Sequence, residues 1–288
     1  MTTRIALGVE YNGARFSGWQ RQASPPLPTV QGQLETALSR IANQQVAISC
    51  AGRTDAGVHA TGQVIHFDTA IDRGAKAWVM GTNTHLPPEI RVQWATPVDD
   101  NFHARHSARS RRYRYVIYDQ PVKPTVLVGQ LTHVRQPLNV AMMHEAAQHL
   151  LGEHDFSSFR GSGCQANSPF REIRSIAVYR HNRFIIVEVE ANAFLLHMVR
   201  NITGTLLQVG FARQPTDWVR DVLMSRDRKK GGDTARPDGL FLVHVGYPDY
   251  PDLPQLPLAF FPSVPVILTH KRVFSGKIRA PALCRNRA

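Results

Sequence analysis

The sequence predicts an α+β fold made of two ferredoxin-like α/β halves, and two observations predict it. From residue 5 to residue 95 the hydrophobic patterning gives strand, helix, paired strands, helix, strand, and from Tyr113 the same order comes a second time. A chain of 288 residues, 43% hydrophobic and 19% charged, is long enough for two medium units that each bury a core. The expected division is an N-terminal half at 1–107, a C-terminal half at 108–250, and a Pro-rich then basic tail at 251–288. No identity between the halves is visible, so the repetition is one of topology.

In the first half, Ile5 to Tyr11 reads as a strand closed by the turn Asn12-Gly13. Phe16-Ser17-Gly18-Trp19-Gln20-Arg21-Gln22 follows as a loop alternating aromatic and polar residues. Either Phe16 and Trp19 tether it to the core, or they offer stacking surface to a nucleic acid beside Arg21. Thr29 is placed to cap a helix with Val30, Leu34, Ala37, Leu38 and Ile41 on one face. Val46 to Cys50 and Gln63 to Phe67 read as paired strands, joined by a loop with two glycines and one carboxylate. Arg53 and Asp55 stand two apart there and project to the same side, and a neighbouring guanidinium favours the charged carboxylate. Taken alone, Asp55 also fits a turn residue in a surface ion pair. A helix over 73–82 and a strand from Arg91 to Ala95 complete the half.

The stretch from Phe102 to Tyr115 carries five arginines between positions 105 and 114. It leads into a strand, Tyr113 to Tyr118, with Arg111, Tyr113 and Tyr115 on one face and Arg112 and Arg114 on the other. A tyrosine flanked by arginines can stack on a base while guanidiniums hold phosphates. His103 and His106 have no carboxylate or thiol nearby, so no metal site is expected. Val140 to Leu151 is an amphipathic helix through Met143, Ala147, Leu150 and Leu151, stopped by Gly152. After a loop at 155–160, Ile173 to Tyr179 and Phe184 to Glu190 form a hairpin turning at His181-Asn182. Ala193 to Val209 is expected as a helix with Leu195, Val199, Ile202 and Leu206 on its core face. A second stripe carries His197, Arg200 and Gly204, and the missing side chain of Gly204 permits close approach. A helix from Thr216 to Ser225 precedes the last strand, Gly239 to Val245.

The charge balance is the one unusual total: 34 Lys and Arg against 22 Asp and Glu give +12, and the pI is near 10.2. Such an excess suits a polyanionic partner, and by itself fits nucleic acid, acidic lipid or a basic housekeeping protein equally. Cys50, Cys164 and Cys284 are far apart and form no C-x-x-C pair, which argues against a zinc site or a disulfide framework and fits a reducing cytoplasm. The N-terminus meets a glutamate early and does not read as a signal peptide. No membrane span is expected, since the most apolar run, Leu256 to Leu268, is broken by Pro257, Pro262 and Pro265.

The segment Gly52-Arg53-Thr54-Asp55-Ala56-Gly57-Val58-His59 resembles the signature of the TruA-type tRNA pseudouridine synthases in eight consecutive residues. Gly18-Trp19-Gln20-Arg21-Gln22, the arginine-rich approach to Tyr113, His197-Met198-Val199-Arg200-Asn201-Ile202 and Gly239-Leu240-Phe241-Leu242 extend the resemblance in order from about residue 4 to about 262. It implies two similar α/β units whose antiparallel-rich sheets join into one, with a cleft at the middle. It further implies isomerisation of uridine to pseudouridine at positions 38, 39 and 40 of the tRNA anticodon arm, without a cofactor, by a homodimer with tRNA lying across both subunits. In that reading Asp55 is the catalytic residue, Arg200 lies beside it, Leu240 lies under the target base, and Tyr113 packs on that base. Help in removing the C5 proton is a second and weaker role for Tyr113, because a neutral phenol is a poor base. The Trp19 loop is then an RNA contact.

Asp55 would attack C1′ or the base, or assist cleavage as a base. Arg53 and Arg200 would keep it ionised, or Arg53 would fill the gap left by the flipped nucleotide. Arg21, Arg105, Arg111 and Arg112 are the expected phosphate contacts. Two rival readings stand beside this one. A non-catalytic RNA-binding module explains the charge and Tyr113 but not a carboxylate between two arginines. An acid–base hydrolase using Asp55 and His59 lacks a second activated group. Residues 263–288 carry six Lys and Arg and no acid; they fall outside the resemblance and are expected to act as a solvated basic arm.

Overall fold

The computed structural model describes residues 2–22 and 27–255; the tail at 263–288 lies outside the described residues. Strand β1 (Thr3–Tyr11) is apolar on both faces and buried along most of its length, as a strand with neighbours on both sides requires. Thr29 caps α1 (Val30–Ala42) by accepting the Gly32 N–H, and Val30, Leu34, Ala37 and Leu38 face the core. Asn43 ends that helix in the left-handed region, at φ 50°. The paired strands are β2 (Ser49–Cys50) and β3 (His59–Thr69). The expected strand at 46–50 is thus reduced to two residues, with Val46 and Ile48 buried outside it.

The expected helix at 73–82 is a helical segment of three parts: α2 (Gly74–Lys76), a π turn over Ala77–Gly81, and α3 (Thr82–His85). Trp78 on the π turn packs edge-on against Phe67 of β3, with ring centroids 5.1 Å apart. Strand β4 (Ile90–Val98) follows, then β5 (Ser110–Tyr118) and the short β6 (Thr132–His133). Helix α4 (Val140–Gln148) ends before Leu151, which is exposed rather than in the core. A further strand, β7 (Gly152–Asp155), fills the stretch between the helix stop at Gly152 and the loop expected at 155–160, where no strand is expected. The hairpin of β8 (Phe170–His181) and β9 (Phe184–Ala191) turns at Asn182-Arg183, one residue later than expected, because Asn182 takes the positive φ of 52°. Helix α5 (Met198–Gly210) starts five residues later than expected. Then come α6 (Trp218–Ser225) and β10 (Leu240–Gly246).

All ten strands of the described residues belong to one sheet, ordered β4-β1-β3-β10-β5-β9-β8-β7, with β2 on β3 and β6 on β5. Neighbours are antiparallel except β3 with β10 and β5 with β6. β10, the last strand among the described residues, therefore lies in the middle of the sheet. On one edge β3 is covered by β1. On its other edge β10 takes residues 59–60 and β2 takes residues 65–66, so the sheet forks there. The loop at 51–58 leaves β2 inside that fork.

One core joins the helices to the sheet face that carries Tyr113, Tyr115 and Ile117, with Leu34, Leu38, Met143, Ile202, Leu206 and Val222 packed against it. The other face of β5 presents Val116 and Tyr118 to a smaller cluster with Leu131 and Ile186. Phe16 and Trp19 are both in the main core. Their expected role as stacking surface is therefore corrected: they are the anchors of their loop. Among the described residues no helix is long and apolar enough to cross a membrane.

Candidate active site

The loop at 51–58 is held from four directions. Gln63, fully buried on β3, donates its amide to the Gly52 carbonyl at 2.6 Å and accepts the Gly52 N–H at 3.4 Å. The Tyr11 hydroxyl bonds Thr54 Oγ1 at 2.8 Å, and the Trp19 N–H donates to the Thr54 carbonyl at 3.0 Å. Arg111 donates Nε and Nη2 to the Ala51 carbonyl, at 3.3 and 2.9 Å. A glycine-containing loop with this many fixed partners is a rigid mount for the side chain at its tip.

That side chain is Asp55, about a quarter exposed, and α5 meets it from across the fork. Arg200 Nη1 donates to Asp55 Oδ2 at 3.1 Å, between residues 145 apart in sequence. His197 Nε2 lies 3.4 Å from the same oxygen. Arg200 is itself fixed, since its Nε donates to the Ala235 carbonyl at 2.8 Å and its own carbonyl accepts the Ala235 N–H at 3.1 Å. The 231–236 segment can lie that close because Gly204 has no side chain. A Cβ there would fall 1.7 Å from the Asp233 carbonyl oxygen.

Tyr113 points its hydroxyl at the Asp55 loop, 3.8 Å from where a Cβ on Gly52 would stand. Its ring packs edge-on against Phe194, with centroids 5.0 Å apart. Burial, with the Asp55 charge adding to it, pushes its phenol above the ordinary tyrosine range. It is therefore a neutral hydroxyl at physiological pH. Leu240 is buried at the start of β10, opposite Tyr115. Cys50, at the loop's other end, is pushed up to about 12 by burial, against a lowering pull from Arg53, and is an inert thiol.

Not every expected site residue converges. Arg53 is exposed and makes no hydrogen bond or ion pair among the described residues, so the partners of Asp55 are Arg200 and His197. Arg111 is corrected from a phosphate contact to a structural residue. It is buried, and its guanidinium is spent on the carbonyls of Ala51, Arg105, Ala108 and Asn192. Arg112 lies on the sheet face opposite Tyr113, bound to Glu190 at 2.6 Å, and does not converge on Asp55. Arg21 is exposed and pairs with Glu35 at 3.3 Å, and Arg105 is exposed. His59 is no partner of Asp55 either: its Nδ1 accepts the Gly13 N–H at 3.1 Å and its ring stacks on Phe241. This removes the hydrolase reading. Among the described residues no three His, Cys, Asp or Glu side chains are placed to hold a metal ion.

A carboxylate on a rigid loop, paired with one fixed arginine and flanked by a neutral phenol, is suited to nucleophilic or proton-transfer chemistry on a substrate lodged in the fork. A family model described as tRNA pseudouridine synthase matches residues 8–107 and 146–248. The tRNA pseudouridine synthase A of Shewanella amazonensis is 54% identical over 246 residues, covering 85% of this chain and 94% of its own. That of Tolumonas auensis is 56% identical over 245 residues, covering 85% and 93%. That of Pseudomonas aeruginosa is 52% identical over 246 residues, covering 85% and 86%.

The chain belongs to the tRNA pseudouridine synthase family. It is an isomerase that converts uridine to pseudouridine in tRNA. The features of this synthase that sequence reasoning passed over are Gln63, the Tyr11–Thr54 bond, the 231–236 strap and the reach of His197 to Asp55. Two of them left a signal. Gln63 is a polar residue at an inward strand position, and His197 stands three before Arg200 on one helical stripe.

Proposed function

We propose that this enzyme modifies uridines 38, 39 and 40 in the tRNA anticodon arm, with Asp55 as nucleophile. The observation that carries the reading is the meeting of Asp55 and Arg200 at 3.1 Å in the fork between β2 and β10. The target uridine leaves the stack, since its reacting bonds are enclosed in a helix. The N1–C1′ bond breaks, C5 bonds to C1′, C5 loses a proton and N1 gains one. Atoms and electrons balance within the nucleotide, so the chemistry calls for no cofactor. Asp55 attacks at C1′ or at the base, and the bond it forms breaks again as the C5–C1′ product is completed, which returns the free carboxylate. Arg200 balances its charge, and Tyr113 and Leu240 make the platform for the uracil. Tyr113 keeps its proton throughout, because a raised phenol is a poor base. Arg53, exposed on the loop and without an ion pair among the described residues, occupies the gap the flipped nucleotide leaves, and Arg21 and Arg105 hold phosphates.

The sheet is read as two ferredoxin-like halves, 1–107 and 108–250. The orders β4-β1-β3-β2 and β10-β5-β9-β8 support this, being the same order of fourth, first, third and second strand. The enzyme works in the cytoplasm as a homodimer with tRNA across both subunits, so sedimentation should give twice the 32.2 kDa chain mass. The test of the chemistry is release of label from C5 of uridine in a tRNA transcript. The parent should release it with no additive, and Asp55→Asn should not, while keeping tRNA affinity within about threefold. Turnover by Asp55→Asn would remove the nucleophile assignment, and a parent that binds tRNA without releasing label would be a binding module.

A further inference from the structure

We infer that His197 is a positioning residue for Asp55: with Arg200 it fixes Oδ2 and leaves Oδ1 as the attacking oxygen. The inference rests on the reading of Asp55 as nucleophile. His197 is the N-cap residue of α5, yet its side chain makes no capping hydrogen bond. Its backbone is left-handed, at φ 59° and ψ 5°, where glycine or asparagine would be the ordinary occupants. Neither helix capping nor backbone preference accounts for a histidine here, so the ring itself must.

The ring is held in place. Gly161 lies beneath it so closely that a Cβ there would stand 2.9 Å from His197 Nδ1. The turn leading into it is tied down as well. The Gly161 N–H donates to the Leu196 carbonyl at 2.8 Å, and the Leu196 N–H donates to Cys164 Sγ at 3.4 Å. From this mount Nε2 reaches to 3.4 Å from Asp55 Oδ2, the oxygen that already accepts from Arg200 at 3.1 Å. Arg200 stands in the first turn of α5, three residues on, and both groups end on the same carboxylate oxygen. Among the described residues no hydrogen bond goes to Asp55 Oδ1. Two groups on one oxygen stop the carboxylate from rotating, and a reacting atom held in one orientation gains rate without gaining affinity.

The test compares His197→Gly, His197→Gln and Asp55→Asn with the parent, by single-turnover label release at saturating enzyme, tRNA binding and thermal melting. His197→Gly relieves the left-handed strain while removing the ring, so its melting temperature should be no lower than the parent's. Its rate should fall about 10- to 100-fold with tRNA affinity within about threefold. His197→Gln, which restores a donor of similar reach, should recover at least about fivefold over the glycine variant. A glycine variant within about twofold of the parent rate overturns the inference. So does a loss of affinity as large as the loss of rate, which would make His197 an RNA contact. Should the glycine variant melt lower, His197→Gln against His197→Met decides on the same criteria. Inert Asp55→Asn beside a fully active His197→Gly sinks this inference alone, whereas an active Asp55→Asn sinks the site reading beneath it.

Discussion

Tyr113 is where residue-level chemistry makes its sharpest demand. A phenol raised by burial and by the Asp55 charge keeps its proton, so its contribution is a surface and a hydrogen-bond donor. Tyr113→Phe should therefore keep tRNA affinity and lose about tenfold or less in rate, while Tyr113→Ala should lose both. A thousandfold fall in the Phe variant, read by the same label release, would make the hydroxyl a proton carrier after all. At this scale the sequence was legible where residue types were unusual for their setting. A carboxylate between glycines and an arginine on a helical stripe mark out Asp55 and Arg200. It was misleading where two settings call for the same residue. Arg111 bonded to four carbonyls and an arginine waiting for phosphate have identical sequence signatures, because the carbonyls come from segments far apart in the chain. Trp19 likewise reads as a stacking platform or an anchor until its burial is known.

Among the elements, the loop at 102–108 that supports β5 depends on a histidine. Burial, with His103 and Arg4 adding positive charge beside it, lowers His66 to about 4; Asp68 opposes this and His106 adds to it. His66 Nδ1 accepts the Ala104 N–H at 3.1 Å, which an imidazolium cannot do. The unfolded chain takes up a proton near pH 6.5 that the folded chain refuses until about 4. This stability is thus complete above pH 6.5 and is lost as pH falls toward 4, by roughly 3 kcal/mol at most. Urea unfolding between pH 7 and 4.5 should show that decline in the parent and a flatter line in His66→Gln, whose amide oxygen can still accept the N–H. Parallel lines would remove His66 as the cause. Helices and strands with clean periodicity, such as α1 and β9, were read close to their bounds. The late start of α5 was hidden, because Leu195 continues the apolar stripe while His197 turns the backbone against it. Periodicity registers burial, and a buried turn satisfies it as well as a helix does.

At the level of the whole molecule, the excess of basic residues makes a measurable demand: tRNA affinity should fall steeply with salt. Each phosphate neutralised adds about 0.9 to the slope of log affinity against log salt. Three or four contacts therefore predict a loss of about 40- to 150-fold between roughly 50 and 200 mM. A flat response in a filter-binding titration would detach the +12 charge from the substrate. The alternation of strands and helices was readable from hydrophobic pattern, but the order of strands across the sheet was not, since pairing partners are chosen by contacts remote in sequence. The placement of β10 is the clearest case, and it has a temporal consequence. Protein chains are made from the N-terminus, and among the described residues β10 is the strand synthesised last. Until residues 240–246 emerge from the ribosome, β3 and β5 have no strand to join them, and each leaves backbone groups open along one edge. The 231–236 strap that steadies Arg200 is made only just before. A nascent chain thus carries Asp55 from early in its synthesis yet lacks the frame that makes it useful. The site that acts on tRNA is in this way framed only once residues 231–246 have been added.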